Sequence, residues 1–408
     1  MSKLEEMLKY VSEHNEFYKN RIKEYGITDP LDITQWPILT RKELQENRYN
    51  MFSDGYMTKY SNQQLYRRSS SGSSGVPVNV YWDYKDLYAT SMALWRKRRK
   101  WYGIKANDKG VILSLSSFNL KADSEMVYYL NEPSNMLYIN ISLIQSEAHY
   151  IELSKLINDF DPLWLYVQPF MLDKLVRLYK QYEFLKPKSL RYIESYGEIL
   201  SSDIRTRASK FFDLHIVNMY GAEEVGAIAF ESPKGDMFIL EDNVYIETKK
   251  NDIICPDGEG DFLVTSLNNH AMPLIRYSLG DSGVTSSRIS DGKQIREVVT
   301  IKGRTVDTIK LEKDMELNTI FLMEVIAEAN NLFNDCIVDY KYSYHKSNNT
   351  LVCNIVIKEK VYSCFDNIKK EIVKIFNKKI LSKAVKLEVI VNSKASFKHC
   401  KNRILEFI

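Results

Sequence analysis

The chain has 408 residues, of which 44% are hydrophobic and 27% charged, and a net charge of +3. These are globular values, and the length leaves room for two or three domains with sizeable cores. A charge so near neutral argues for neither a nucleic-acid partner nor a membrane surface, and no run of about 18 apolar residues predicts a membrane span.

The five cysteines (Cys255, Cys336, Cys353, Cys364, Cys400) are scattered and form no C-x-x-C. Neither a disulfide framework nor a zinc cluster is expected, and a cytoplasmic setting fits. The opening MSKLEEMLKYVSEHNEFY lacks the apolar stretch of a signal peptide. Instead Leu4, Met7, Leu8 and Val11 are spaced as one helix face. In QWPILTRKEL, Pro37 precedes a second helix with Thr40 as its N-cap.

Residues Ser69 to Pro77 then read SSSGSSGVP, in which seven of nine are Ser or Gly. Gly gives the backbone freedom of a tight loop, and Ser hydroxyls beside free N–H groups suit a polyphosphate. No Gly-Lys-Ser/Thr follows, so this is not a Walker loop. By composition alone a flexible linker is the plainer interpretation.

A helix is predicted over Tyr84–Tyr102, with an apolar stripe of Tyr84, Leu87, Tyr88, Ser91 and Trp95, ending at Gly103. Its basic run Arg96–Lys100 reads as a mostly solvated face. Strands at 111–115, 163–167, 190–194 and 214–220 alternate with helices at 151–160, 170–181 and 203–212, which predicts a parallel sheet covered by helices. From Ala227 the pattern changes to short strands with turns at Lys234-Gly235 and Pro256-Asp257-Gly258, an antiparallel, barrel-like sheet. Beyond Asp307 the chain becomes Lys- and Asn-rich and predicts a small α/β unit, so the domains are drawn as 1–306 and 307–408.

Two strand ends carry Gly and an acid: Ser195-Tyr196-Gly197-Glu198 and Tyr220-Gly221-Ala222-Glu223-Glu224. Ligands of open parallel sheets bind at the carboxyl ends of strands. There Gly permits close approach, Tyr220 offers a stacking face and a carboxylate can hold Mg²⁺. A third segment joins Gly280-Asp281 to Gly303-Arg304. Asp281 can accept from two vicinal ribose hydroxyls and Arg304 can fork onto sugar or phosphate oxygens. Each segment alone is also compatible with a solvated turn.

Taken in order, these segments resemble the adenylate-forming superfamily, and within it the phenylacetate–coenzyme A ligase branch with its capsular-polysaccharide-associated relatives. The resemblance rests on EFYKNR…WPILTRKEL, SSSGSSGVP, MYGAEEVG, PLIRYSLGD and IKGRTVD, and covers nearly the whole chain. It implies a large N-terminal α/β domain with a parallel sheet and a small antiparallel barrel, plus a mobile C-terminal α/β domain. It implies activation of a small carboxylic acid by ATP and Mg²⁺ to an acyl-adenylate, then transfer to the thiol of CoA. A carrier-protein phosphopantetheine or an amine is the alternative acceptor, and a nucleotide-binding member without turnover is the third possibility.

By the same resemblance Ser71, Gly72, Ser73, Ser74 and Gly75 would cradle the β/γ-phosphates. Gly197, Glu198, Tyr220 and Gly221 would hold the adenine, Asp281 and Arg304 the ribose and phosphate, and Glu224 the Mg²⁺. Asp307 would be the pivot of the small domain. Phe118, Tyr196, Ala222, Gly226 and Ala227 would line the acid pocket. Two departures stand out. Glu223 replaces the Thr, Ser or Arg of relatives, and the tail Ser396–Ile404 carries no Gly-Lys; Lys401, with Cys400 in place of Gly, aligns best as the lysine for adenylation, and Lys398 is the alternative.

Overall fold

A computed structural model describes residues 1–70, 77–114, 127–144, 147–290, 292–311, 316–334, 336–358, 363–380, 385–392 and 404–408. Among them, thirteen strands form one continuous sheet. Its parallel portion joins Gly110–Ser114, Met136–Asn140, Trp164–Val167, Tyr192–Tyr196 and Ile216–Ala222. The antiparallel strands hydrogen-bond onto it through Gly226–Glu231, so the two patterns read from the sequence meet at one edge. The longest pair, Tyr277–Ser290 with Lys293–Arg304, belongs to the antiparallel portion and bears the Gly-Asp and Gly-Arg segments.

Helices Glu147–Phe160, Pro169–Gln181 and Ser202–Phe212 pack on one face of the parallel strands. Helix Tyr84–Tyr102 lies on the other. It has the predicted limits, with Asp83 capping its start and Gly103 in the left-handed conformation at its end. Its buried face is not the predicted stripe. Asp86, Thr90, Ala93, Leu94 and Arg98 are buried, whereas Tyr84 and Tyr88 are exposed. Arg98 is therefore an exception to the solvated basic run.

The N-terminal segment is tied to the sheet by Leu39, which exchanges backbone hydrogen bonds with Arg276 and Ser278. Arg276 adopts φ +50°, donates to Glu247 through Nε and Nη2, and donates through Nη1 to the carbonyls of Thr34 and Trp36. The conspicuous arginine of PLIRYSLGD is thus a fastening for the first forty residues. A second core runs from Ile309 to Leu405, around helices Thr319–Leu332 and Phe365–Lys379 and a four-stranded sheet. Helix Thr319–Leu332 packs on Ser202–Phe212, which joins this unit to the larger one.

Candidate active site

Two chain reversals and the open end of a long hairpin converge at the carboxyl ends of the parallel strands. After Tyr192–Tyr196 the chain turns at Gly197, φ +78°, where an added Cβ would lie 3.3 Å from Gln168 Nε2. After Ile216–Ala222 it reverses through Glu223 and Glu224. Gly221 is required there, because its Cβ would sit 2.6 Å from the Gly226 carbonyl oxygen. At the open end of the hairpin formed by Tyr277–Ser290 and Lys293–Arg304, Asp281 and Arg304 are cross-strand partners.

These segments bring acids and cations into alternation. The Tyr220 hydroxyl donates to Asp281 Oδ2 at 2.8 Å, and Arg304 Nε meets Asp281 Oδ1 at 3.0 Å. Burial raises the Asp281 carboxyl above its usual range, opposed by the charge of Arg304. Burial likewise raises Glu224, which is only 4% exposed, with Arg304 and Arg41 opposing the shift. Burial, followed by the charge of Asp281, pushes the Tyr220 phenol well above its ordinary value.

Arg41 is a site residue the sequence reading missed. Its Nη1 lies 3.4 Å from Glu224 Oε1, and its Nη2 donates to Ser70 Oγ at 2.8 Å, at the entrance to the Ser/Gly segment. The short helix Arg41–Glu46 begins at Thr40, whose side chain accepts from the Glu43 N–H while Glu43 accepts from Thr40. That capping box and the Leu39 pairing fix Arg41 in place. A signal was present: a cation in the first helical turn opposes the helix dipole and invites another explanation.

Tyr196 stacks on Tyr166 with centroids 3.8 Å apart and planes within 4°, and donates to the Leu113 carbonyl at 2.9 Å. Behind the pair, Arg98 binds Glu194 at 2.8 and 2.6 Å, and Tyr192 donates to the same carboxylate. Arg98 also packs over Trp95 at 4.5 Å. Ala227 packs against this cluster. A buried ion pair thus lies beside the Tyr166–Tyr196 stack.

Gly197, Tyr220, Gly221, Glu224, Asp281 and Arg304 therefore share one end of the sheet, with Glu198, Ala222 and Gly226 in the same turns. Asp307 ends the turn Thr305–Asp307 and adds its charge to the field at Asp281. Ser71, Gly72, Ser73, Ser74, Gly75, Phe118, Lys398 and Lys401 lie outside the described residues.

The chain is 24% identical over 327 residues to phenylacetate–coenzyme A ligase of Pseudomonas putida, covering 76% of this chain and 70% of that protein. It is 22% identical over 336 residues to Protein CapK of Staphylococcus aureus, covering 81% and 72%. No protein-family model matches the chain. The solved 2-hydroxyisobutyryl-CoA ligase, in the postadenylation state with 2-HIB-AMP, superposes with a TM-score of 0.78 at 16% identity, over all of this chain and 88% of that one. The fold is that of the adenylate-forming CoA ligases. The relatives in sequence are those of the phenylacetate–CoA ligase branch, as the motifs implied. Among the described residues of this adenylate-forming fold, no helix is long and apolar enough to cross a membrane.

Proposed function

We propose that the protein is an AMP-forming acid–CoA ligase. The observation that carries this reading is the Tyr220–Asp281–Arg304 cluster beside the Glu224–Arg41 pair at the carboxyl end of the parallel strands. It is supported by the likeness to ligases whose names specify acid and CoA.

The residues fit a nucleotide. Each oxygen of Asp281 has one donor, and a carboxylate has room for about four, so two ribose hydroxyls can be added. Tyr220, tethered through its hydroxyl, presents its ring to the adenine beside Gly197, Glu198 and Gly221. Arg304 faces the ribose and α-phosphate.

Glu224 suits Mg²⁺, because a buried carboxylate with a raised pKa gains most from a cation. Mg²⁺ takes one or two carboxylates and leaves its other positions to phosphate and water. Bound there, it would neutralise charge that develops on the phosphates. Arg41, 3.4 Å from Glu224 Oε1, would help hold that carboxylate in position and carries positive charge toward Ser70.

The acid carboxylate attacks the α-phosphorus and displaces pyrophosphate. The thiolate of CoA then attacks the acyl carbon and displaces AMP. Asp307 would be the pivot between the steps, at the start of a small domain comprising 307–408, and Lys401 or Lys398 would bring an ammonium to the α-phosphate. Phe118, Tyr196, Ala222, Gly226 and Ala227 would receive the acid.

A panel of carboxylic acids tests the reading. Pyrophosphate release from ATP should require one class of acid, and subsequent AMP release should require CoA. AMP release that instead requires a carrier protein or an amine would replace CoA as the acceptor.

A further inference from the structure

Arg21, Arg98, Arg205, Arg276 and Arg304 are buried or half-buried, and each meets a carboxylate within 3.0 Å. Arg68 is half-buried too, yet no carboxylate or hydrogen-bond acceptor meets its guanidinium among the described residues. Its strand, Tyr66–Ser69, pairs with Asn79–Trp82 so that Arg68 faces Val80 and Tyr66 faces Trp82. Alternation puts Arg68 on the face of this hairpin that buries Val80 and Trp82. The guanidinium lies over the Trp82 ring at 5.7 Å. The indole N–H of Trp82, a residue only 1% exposed, also lacks an acceptor among the described residues.

Gly226 marks where the edge of the guanidinium lies. A Cβ there would stand 3.2 Å from Arg68 Nη1 and 3.2 Å from Thr90 Cγ2. With φ +80° as well, the position is closed to a side chain both by its backbone and by its neighbours. Gly226 is the cross-strand partner of Ala222 and precedes Ala227. The guanidinium therefore borders the small residues that receive the acid in the ligase reading. The acids at the start of helix Tyr84–Tyr102 do not neutralise it. Asp83 is taken by Lys59, and Asp86 by the N–H and ring of His270. Glu224, two residues before Gly226, has Arg41. The positive charge at Gly226 is thus left without a counter-charge among the described residues.

We infer that Arg68 receives a second carboxylate of the acid substrate, so that the protein activates small dicarboxylic acids. The inference rests on the ligase reading. One carboxylate of the substrate attacks the α-phosphorus, and the other stays ionised against the guanidinium. The fork of N–H groups matches the two oxygens of a carboxylate, and the Trp82 ring supports its plane. A partly desolvated guanidinium is costly to leave unpaired. An acid of the same length that ends in a methyl group leaves it so, and a site built for a polar group rejects the analogue that lacks it.

The experiment follows exchange of labelled pyrophosphate into ATP with matched acids: malonate against propionate, succinate against butyrate, glutarate against valerate and phthalate against benzoate. The wild type should favour the dicarboxylic member of at least one pair by about tenfold or more in kcat/KM. Arg68→Gln keeps much of the side chain's length and should abolish that preference, raising the KM for the dicarboxylic acid by about tenfold and leaving the KM for ATP within about twofold. Arg68→Lys keeps the charge and should retain part of the preference, which a merely structural role of the guanidinium would not require. A wild type that uses the monocarboxylic members as well or better would overturn the inference and leave the ligase reading intact. A preference for dicarboxylic acids that survives in folded Arg68→Gln would place the second carboxylate elsewhere and also overturn it. A wild type that supports exchange with no carboxylic acid would overturn both readings.

Discussion

Asp281 shows how much chemistry one side chain concentrates. Its carboxylate takes the Tyr220 hydroxyl and the Arg304 guanidinium from two different strands, and burial raises its pKa. Asp281→Ala should cost about 1–3 kcal/mol of AMP binding, the usual penalty for losing buried hydrogen bonds to a charged group. Calorimetry on the folded variant checks this, and an unchanged affinity would place the ribose elsewhere. The residue stood out in the sequence because a Gly-Asp pair followed later by Gly-Arg is a distinctive spacing. Arg41 was not legible. It sits in an ordinary basic stretch, and only the folded chain shows it at Glu224. Ser69 and Ser70 were read as part of a loop, yet Ser69 ends a strand paired with Asn79 and Ser70 anchors Arg41.

Helix Tyr84–Tyr102 shows where pattern reading succeeds and where it fails. Its ends follow from Asp83 and Gly103, which are chemical signals independent of tertiary contact. Its buried face follows from tertiary contact alone. Asp86 is taken up by the N–H and ring of His270, and Arg98 by Glu194, so two charged residues occupy positions that a hydrophobic stripe cannot reveal. The exposed tyrosines at 84 and 88 occupy the positions that the stripe predicted. The Arg98–Glu194 pair links this helix to strand Tyr192–Tyr196, directly behind the Tyr166–Tyr196 stack. Glu194→Ala leaves a buried guanidinium without its counter-charge, and should destabilise the protein by about 3–5 kcal/mol. Urea unfolding measures this. A loss below about 1 kcal/mol would mean that the rings of Trp95, Trp164 and Tyr166 stabilise the Arg98 cation well enough without the carboxylate.

The two units of the chain meet across helices Pro169–Gln181 and Ser202–Phe212, and one acid at that junction is poorly solvated. Asp339, on strand Ile337–His345, is raised to about 6, chiefly by burial, although the Tyr340 N–H and the charges of Lys174 and Arg177 lower it. The native state then holds its proton more tightly than the unfolded chain does. Its contribution is fully present below about pH 4 and is lost as pH rises through about 6. Asp339→Asn keeps an acceptor for the Tyr340 N–H and removes the charge, so it should stabilise the protein at pH 7 by about 1–2 kcal/mol, with little change at pH 4. Melting temperatures across that range check the sign, and destabilisation at pH 7 would show that Lys174 and Arg177 outweigh burial. The alternation of strands and helices from 151 to 220 was legible because it is encoded locally, whereas strand Met136–Asn140 and helix Thr319–Leu332 were not. The union of parallel and antiparallel strands into one sheet was not, because it depends on pairing between segments such as Phe238 and Glu297 that no local pattern connects.

Exchange of labelled pyrophosphate into ATP tests acid activation most directly. It reads the reversible adenylation step without needing the identity of the acceptor. A folded protein given Mg²⁺, ATP and a panel of small carboxylic acids should exchange label only when a suitable acid is present, and Glu224→Gln should lower the rate by about 10²-fold or more. If the protein binds AMP and no acid in the panel supports exchange, the chain holds nucleotide without activating a carboxylate, and the ligase assignment is contradicted.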